Sequence, residues 1–408
     1  MARNYALVLS TALAGGGAEA VARLMVERLS GSTCVLFEND ASVVLPGHQI
    51  RVISRWYTRG SLITILVNIW RLLVVQVVKL QVRPEVTISH LEGPNFVNIL
   101  TFFGGRRILF VHNRIEQSYH KNKTFDKLKK VLVTVLYRRA DRIVGVSEEV
   151  CAELITSFGV KSERVLFIPN PIDMSAISAA STKTYGDIRD QLCDQRYLIN
   201  VASLTFQKNH ELLLQIFNDL VNRGDGYSDL KLVLIGEGDQ RQNLLNLCED
   251  LGLKVFLPGQ GPVSQSSQVY FMGFEQNPYP FLKHAKLLVM TSLWEGLPIA
   301  LLEAMSLGIP AVVSDCSSGI RTIWGIPQKQ PDQISVEPCH WAPCGALISD
   351  MGSGDATFEL WSEAVDKLLN NKTLYEQCSV AAKNCAEHYN VDQVAGIWKR
   401  ELLESLGN

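Results

Sequence analysis

The sequence has no long uncharged hydrophobic run, no paired-cysteine framework and none of the common phosphate-loop or metal signatures, and each absence narrows the reading. Its nine cysteines are odd in number and scattered from Cys34 to Cys385, which excludes a disulfide-stapled small secreted fold and fits a reducing cytoplasm. The one local pair, Cys339 and Cys344 around His340, has no matching second half and reads as loop cysteines rather than a metal site. Neither a Gly-x-Gly-x-x-Gly fingerprint nor a Gly-x4-Gly-Lys-Ser/Thr loop occurs. No Asp-x-Asp pair is available for a divalent ion. Leu62 to Val82 is long and apolar, but Asn68, Arg71, Gln76 and Lys79 interrupt it and cluster toward one side of a helix, with Pro84 marking its end. It reads as an amphipathic helix rather than a membrane span. Net charge is only −2 and hides an asymmetry: residues 1–170 hold 22 Lys+Arg against 13 Asp+Glu, so the basic excess lies in the N-terminal half. That half is suited to an anionic partner.

What is present is the alternation of a doubly wound α/β protein. A chain of 408 residues, 47% hydrophobic, is long enough for two domains with cores of their own. Short β-rich runs at Tyr5–Ser10, Arg51–Ser54, Val86–Ser89, Arg107–Val111 and Arg142–Val146 alternate with helical patterns. A second series comprises Tyr197–Ala202, Leu230–Ile235, Val269–Met272, Lys286–Met290 and Ala311–Ser314. Between the series, Pro169-Asn170-Pro171 and the Ala/Ser-rich stretch to Thr184 read as a linker. Gly259–Gln268 and Gly325–Pro343 read as long loops. Arg3 and the apolar Tyr5–Ala14 could pass for a secretory signal. A buried first strand running into the Gly15-Gly16-Gly17 loop also accounts for the residues that follow.

Several constellations can carry chemistry. Glu295-Gly296-Leu297-Pro298-Ile299 follows a buried strand, and amides at Gly296 to Ile299 would sit at a helix N-terminus able to bind phosphate or sugar oxygens. Glu303 follows eight residues later; were all of them helical, about 12 Å would separate the carboxylates, too far for a glycosidase pair at about 5 to 9.5 Å. Taken alone, the spacing fits a helix cap and a solvated acid as well. Lys208, after the first strand of the second series, is placed to neutralise a diphosphate at the strand ends; alone, it reads equally as an exposed lysine. Gly236-Glu237-Gly238 is a tight-turn candidate. Gly15 to Gly17 lets backbone approach a phosphate. His112 ends a strand, and His90 ends the preceding one.

Taken together, Asn277-Pro278-Tyr279-Pro280, Ala285, Ser292, Glu295 to Pro298, Glu303-Ala304-Met305, Gly308, Pro310 and Asp315 to Gly319 resemble the donor block of glycosyltransferase family four. Val201 to His210 and the glycine loop resemble it as well, so the likeness covers nearly the whole chain. It implies a GT-B fold: two Rossmann-like doubly wound domains facing across a cleft, residues 1–175 on the acceptor side and 185–385 binding the nucleotide sugar, with a C-terminal helix in 386–408 crossing back. It implies retaining, metal-independent glycosyl transfer without a cofactor. Glu295 would contact the donor hexose and Glu303 the ribose. Gly296, Leu297, Pro298 and Ile299 would lie along sugar or phosphate. Gly273 and Phe274 would hold the base, Lys208 the diphosphate, His112 the sugar, and Gly16 and Gly17 the diphosphate and acceptor. The family usually has an arginine at the position of Ser203; here it is absent, so the diphosphate needs another cation or backbone amides.

The segment 106–142 carries 11 Lys+Arg against three acids, interleaved with apolar residues. Arg114, Lys121, Lys123, Lys127 and Lys130 are its candidates for an anionic membrane surface; a solvated basic helix face is the alternative, and no nucleic-acid motif is present. The motifs resemble bacterial surface-polysaccharide transferases that use UDP-linked hexoses or N-acetylhexosamines. The expected setting is the cytoplasmic face of the cell membrane, with a lipid-diphosphate-linked glycan as acceptor. A catalytically weak nucleotide-sugar-binding subunit and a UDP-sugar epimerase of the same fold remain alternatives.

Overall fold

The computed structural model describes residues 6–13, 15–29, 31–38, 45, 47–53, 61–118, 123–185, 188–259, 266–328, 338–349 and 355–403. The chain forms two compact units, Met1–Ile172 with Tyr389–Asn408, and Asp173–His388.

The first unit holds strands β1 (Ala6–Ser10), β2 (Thr33–Leu36), β3 (Gln49–Val52), β4 (Val86–His90), β5 (Arg106–Val111), β6 (Arg142–Gly145) and β7 (Val165–Phe167). All pair in parallel, in the order β3-β2-β1-β4-β5-β6-β7. Its helices are α1 (Gly17–Arg28), α2 (Ser61–Val82), α3 (Glu92–Leu100), α4 (Lys123–Tyr137) and α5 (Glu148–Thr156). The second unit has α6 (Met174–Ser181), α7 (Ile188–Cys193), α8 (His210–Asn222), α9 (Arg241–Asp250), α10 (Tyr279–His284), α11 (Ile299–Ser306), α12 (Ser318–Ile323), α13 (Asp355–Asn370) and α14 (Lys372–Glu387). They surround β8 (Tyr197–Val201), β9 (Lys231–Ile235), β10 (Val255–Phe256), β11 (Val269–Gly273), β12 (Leu287–Met290), β13 (Ala311–Ser314), β14 (Cys339–Ala342) and β15 (Gly345–Ile348), in the order β10-β11-β9-β8-β12-β13-β15-β14. Among the described residues, the β14–β15 pair alone is antiparallel. After α14 the chain returns to the first unit as α15 (Val391–Trp398). There the Ile172 amide donates to the Tyr389 carbonyl and the Val391 amide to the Ile172 carbonyl, both at 2.8 Å, Arg28 meets Asp392 at 3.0 Å, and Trp398 is buried.

Continuous apolar runs make the central strands because helices cover both faces of a parallel sheet. β1, β4 and β9 are buried at every residue. Tyr5 to Ala14, read either as a signal or as a strand, thus contributes the buried strand β1. The Ala/Ser-rich segment read as a linker contains α6, capped by the Asp173 carboxylate accepting from the Ala176 amide at 2.9 Å. Within the Pro- and Gln-rich stretch read as a loop, β14 forms; 329–337 and 260–265 lie outside the described residues.

α2 departs from expectation in the direction it faces. Its two cations point inward: Arg71 donates to the Phe37 carbonyl at 3.1 Å, and Lys79 donates to the Asn98 carbonyl and side-chain Oδ1 at 3.1 and 2.9 Å. Val67, Val75 and Val78 are buried beside them, and a second apolar stripe faces out. No helix among the described residues is long and apolar enough to cross a membrane.

Candidate functional site

Strand order decides where ligands can sit. In an open α/β sheet, loops at the carboxyl ends of the strands diverge where the order reverses, leaving a crevice. In the second unit that reversal falls between β8 and β12, and in the first between β1 and β4. Lys208 follows β8 and Glu295 follows β12, so neighbouring strands carry both to one edge of the sheet.

Backbone bonds stitch these two loops together. The Leu293 amide donates to the Gln207 carbonyl at 2.8 Å, and the Gln207 carboxamide donates to the Trp294 carbonyl at 2.7 Å. The Thr291 hydroxyl donates to the carbonyls of Lys208 and Asn209 at 3.2 and 2.9 Å. Asn209 takes the left-handed conformation, φ 50°, which asparagine tolerates better than most residues and which turns the chain into α8. The result is an ion pair: Lys208 Nζ donates to Glu295 Oε1 at 2.5 Å, and the Ser292 hydroxyl donates to the same oxygen at 2.7 Å. The lysine side chain is 18% exposed and the glutamate 5%. Glu295 is therefore not a helix cap; Pro298 occupies the N-cap of α11.

The backbone beyond Glu295 is fixed from behind. Gly296, Leu297, Pro298 and Ile299 are all buried. A Cβ on Gly319, in the first turn of α12, would lie 1.9 Å from the Gly296 carbonyl oxygen, so only glycine lets the two segments touch. Pro298 has no N–H, which limits backbone donors in this run to Gly296, Leu297 and Ile299. Helix begins only at Ile299, so helical rise applies to part of the Glu295–Glu303 interval. Glu303 accepts from the Tyr279 hydroxyl at 2.9 Å. Asp315 holds Arg321 through two bonds, 2.8 and 2.5 Å. Burial, then the nearby Glu295 charge, push the Cys316 thiol up to about 12.

Ser203 is exposed on the adjoining loop, whose shape depends on close glycine contacts. A Cβ on Gly236 would lie 2.0 Å from the Ala202 carbonyl oxygen and one on Gly238 2.2 Å from that of Leu204. The Gly236-Glu237-Gly238 turn thus supports the Ser203 loop. Gly236 also donates to the Gly273 carbonyl at 2.8 Å, and Gly273 turns the chain, φ 74°, so that Phe274 is left exposed.

In the first unit, the exposed Gly16 and Gly17 follow β1, with Gly16 as the N-cap of α1. His90 ends β4, and His112 follows β5 on the next strand over. Their rings stack, with His90 Nδ1 and His112 Nε2 3.1 Å apart. Burial lowers both imidazoles, His112 to about 4 and His90, beside it, well below its ordinary value. Both are neutral near pH 7, so one donates and the other accepts.

The basic segment is placed less simply. The Arg114 guanidinium is engaged by Glu149 at 2.8 Å and by the buried Glu153 at 3.4 Å. Lys130 pairs with Glu116. Lys121 and the side chains of Lys123 and Lys127 lie outside the described residues.

Sequence reasoning gave no role to Gln207, Tyr279 or Arg321. Tyr279 and Gln207 stood in motifs read for other residues, while Arg321 gave no spacing signal.

Comparison with known proteins identifies family matches in both units. Residues 15–176 match the Glycosyltransferase Family 4 description, and residues 190–326 match Glycosyl transferases group 1. An uncharacterized glycosyltransferase of Methanocaldococcus jannaschii is 27% identical over 252 residues, 59% of this chain and 58% of the relative. The N-acetylgalactosamine-N,N'-diacetylbacillosaminyl-diphospho-undecaprenol 4-alpha-N-acetylgalactosaminyltransferase of Campylobacter jejuni is 26% identical over 238 residues, 58% of this chain and 59% of the relative. The chain therefore matches under two thirds of the length of each. The structure of Anabaena HepE in complex with UDP and glucose superposes with TM-score 0.72 at 16% identity, covering 98% of this chain and all of HepE, a likeness of fold.

Proposed function

Since the chain belongs to glycosyltransferase family 4 and has its GT-B fold, we propose that it transfers a hexose or N-acetylhexosamine from a UDP-sugar to a hydroxyl of a lipid-diphosphate-linked glycan, with retention. The observation that carries the reading is the Lys208–Glu295 pair at the strand-order reversal of the second unit. Lys208 places a cation where a departing diphosphate gathers charge, and Glu295 places a carboxylate oxygen for sugar hydroxyls. Amides of Gly296, Leu297 and Ile299 at the start of α11 add donors without invoking a metal. Glu303, steadied by Tyr279, serves the ribose. Gly273 and Phe274 serve the base. His112 and the Gly16-Gly17 loop keep the roles that the family resemblance implies.

UDP as the nucleotide is supported by the HepE complex, and a lipid-linked acceptor by the name of the Campylobacter relative. Such an acceptor puts the protein at the cytoplasmic membrane face, where the basic 106–142 segment suits anionic lipids. Exposed Ser203, standing where the family has arginine, favours one second reading, a binding subunit with little turnover. A screen of radiolabelled UDP-sugars on membranes of the native host tests both. Label entering the lipid fraction with release of UDP supports transfer. Tight UDP-sugar binding without release under any donor overturns it in favour of the binding subunit. Epimerisation of UDP-N-acetylglucosamine without acceptor would instead make it an epimerase.

A further inference from the structure

α2 leaves an apolar stripe exposed while burying two cations among its inward valines. Leu66, Ile69, Trp70, Leu73, Val77 and Leu80 recur at the helical period and are 67, 49, 55, 60, 51 and 48% exposed. At about 100° per residue they fall within an arc of roughly 100°. On the opposite side Arg71 and Lys79 are buried, the first at the Phe37 carbonyl and the second at Asn98. A surface helix ordinarily buries its apolar stripe and exposes its charges; here the inward side holds Val67, Val75 and Val78 together with both cations, each with a specific partner, and a second apolar stripe is left outside.

A second feature extends the stripe. The Gln76 carboxamide clamps the loop after α3, accepting from the Phe102 amide at 2.8 Å and donating to the Phe102 carbonyl at 3.2 Å. Phe103 is held at φ 61°, a conformation that a bulky residue rarely adopts, and Phe102 and Phe103 are 67 and 72% exposed. The clamp thus presents two aromatic rings beside α2. A contiguous apolar surface of this kind marks a contact with something apolar.

Charge identifies that partner. Ser61–Val82 contains no Asp or Glu. Arg83, just past its end, is exposed, and an open pocket of about 350 Å3 next to the two phenylalanines has Arg106, Arg107 and Asp141 in its walls. Apolar residues edged by guanidinium groups match a leaflet whose acyl chains lie beneath anionic phosphates.

We infer that the outward stripe of α2, together with the Phe102-Phe103 loop, is a bilayer contact on which the first unit lies, with α2 in the plane of an anionic leaflet. From Leu66 to Leu80 the stripe is about 21 Å long. As the crossover from β3 to the parallel β4, α2 runs against the strands. Its Leu66 end therefore lies toward the strand ends that carry Gly16, Gly17 and His112, and its Leu80 end at the opposite edge with the phenylalanines. This surface is separate from α4. The inference extends the lipid-linked acceptor reading, but its test needs neither donor nor acceptor, so either can fail alone.

The test is flotation of the full chain with phosphatidylglycerol vesicles and, separately, quenching of tryptophan fluorescence by brominated phosphatidylglycerol. Binding is expected to fall at least 10-fold in Leu73→Glu/Val77→Glu and in Phe102→Ser/Phe103→Ser, with unchanged circular dichroism. Because those variants could also lose fold, Trp70→Phe is the second arm: it should float normally yet lose most of the bromolipid quenching. Vesicle binding that is untouched by the paired variants, or quenching that survives in Trp70→Phe, overturns the inference. So does a wild-type dimer that Leu73→Glu/Val77→Glu converts to monomer, since the stripe would then belong to a second copy.

Discussion

Lys208 and Glu295, 87 residues apart in sequence, meet at 2.5 Å with the carboxylate almost completely buried. The pair lies in a site largely screened from water, and on the proposed reading a nucleotide sugar entering there meets both groups already ordered. Removing one partner of such a pair leaves the other uncompensated, while replacing both with apolar residues is often neutral for stability. Lys208→Met and Glu295→Met are each expected to lower transfer at least about 100-fold. The double Met variant should regain thermal stability relative to either single one and remain inactive. Recovery of turnover in the double variant would show that the pair is only structural.

Ser203 offers a test by gain. It is exposed, on a loop anchored by the Leu204 amide donating to the Glu237 carbonyl at 3.0 Å. An arginine introduced there needs no core space. If the position faces the diphosphate, Ser203→Arg adds charge-assisted hydrogen bonds worth about 1.5 to 3 kcal/mol, or roughly 10- to 100-fold tighter UDP by calorimetry. Unchanged affinity would move the diphosphate away from this loop.

The two sheets were legible in the sequence because buried parallel strands are short, unbroken apolar runs bounded by turns. β2, β7, β10, β14 and β15, two to four residues long, went unread, while the equally short β3, β6, β12 and β13 were read. α6 escaped because Ala and Ser form it without an apolar period. In α2 the spacing revealed a polar side but could not reveal that Asn98, on a neighbouring helix, would draw Lys79 inward. The site was legible only in parts. Motifs placed Lys208 and Glu295, but their contact comes from strand order, and no local spacing encodes it.

Gly319 tests the backbone behind Glu295. An alanine Cβ would stand 1.9 Å from the Gly296 oxygen, backbone against backbone, and no rotamer relieves it. Gly319→Ala is expected to cost about 1 to 3 kcal/mol and to weaken UDP-sugar binding as the 296–298 segment shifts. Gly396→Ala, in α15 with nothing within 4 Å of the added Cβ, is the control and should be neutral or stabilising. Equal donor affinity in both variants would separate Gly319 from the site.

Buried histidines set an acid limit. His112 and His210 are lowered to about 4, chiefly by burial, and His90 well below its ordinary value. Below about pH 6.5 the unfolded chain takes up protons that the native state refuses. Stability is therefore intact above that pH and falls as pH drops toward 4. Between pH 7 and 5.5 each such group contributes a loss of about 1 kcal/mol. His210→Asn should show a shallower loss over that interval in urea titrations. A slope equal to that of the wild type would mean that His210 takes up its proton in the native state as readily as in the unfolded chain.

Lys79 makes the opposite limb testable. It is buried, donates to Asn98, and is lowered to about 7 by burial and then by the nearby Arg107 charge. In the unfolded chain a lysine keeps its proton up to about pH 10.4. Between those values the unfolded state binds more protons, so the lysine's contribution to stability rises with pH, by about 2 kcal/mol from pH 7 to 9. Buried thiols work against it: Cys34 and Cys248, pushed up to about 12, stay protonated in the native state while the unfolded thiols ionise. The useful quantity is therefore the difference between wild type and Lys79→Met, in which only the lysine term changes. Urea denaturation at pH 7 and pH 9 should show the wild type gaining about 2 kcal/mol on the variant. Parallel pH dependence would mean that Lys79 keeps its proton in the native state, and that the Asn98 oxygens solvate the ammonium well enough to hold it charged on the buried side of α2.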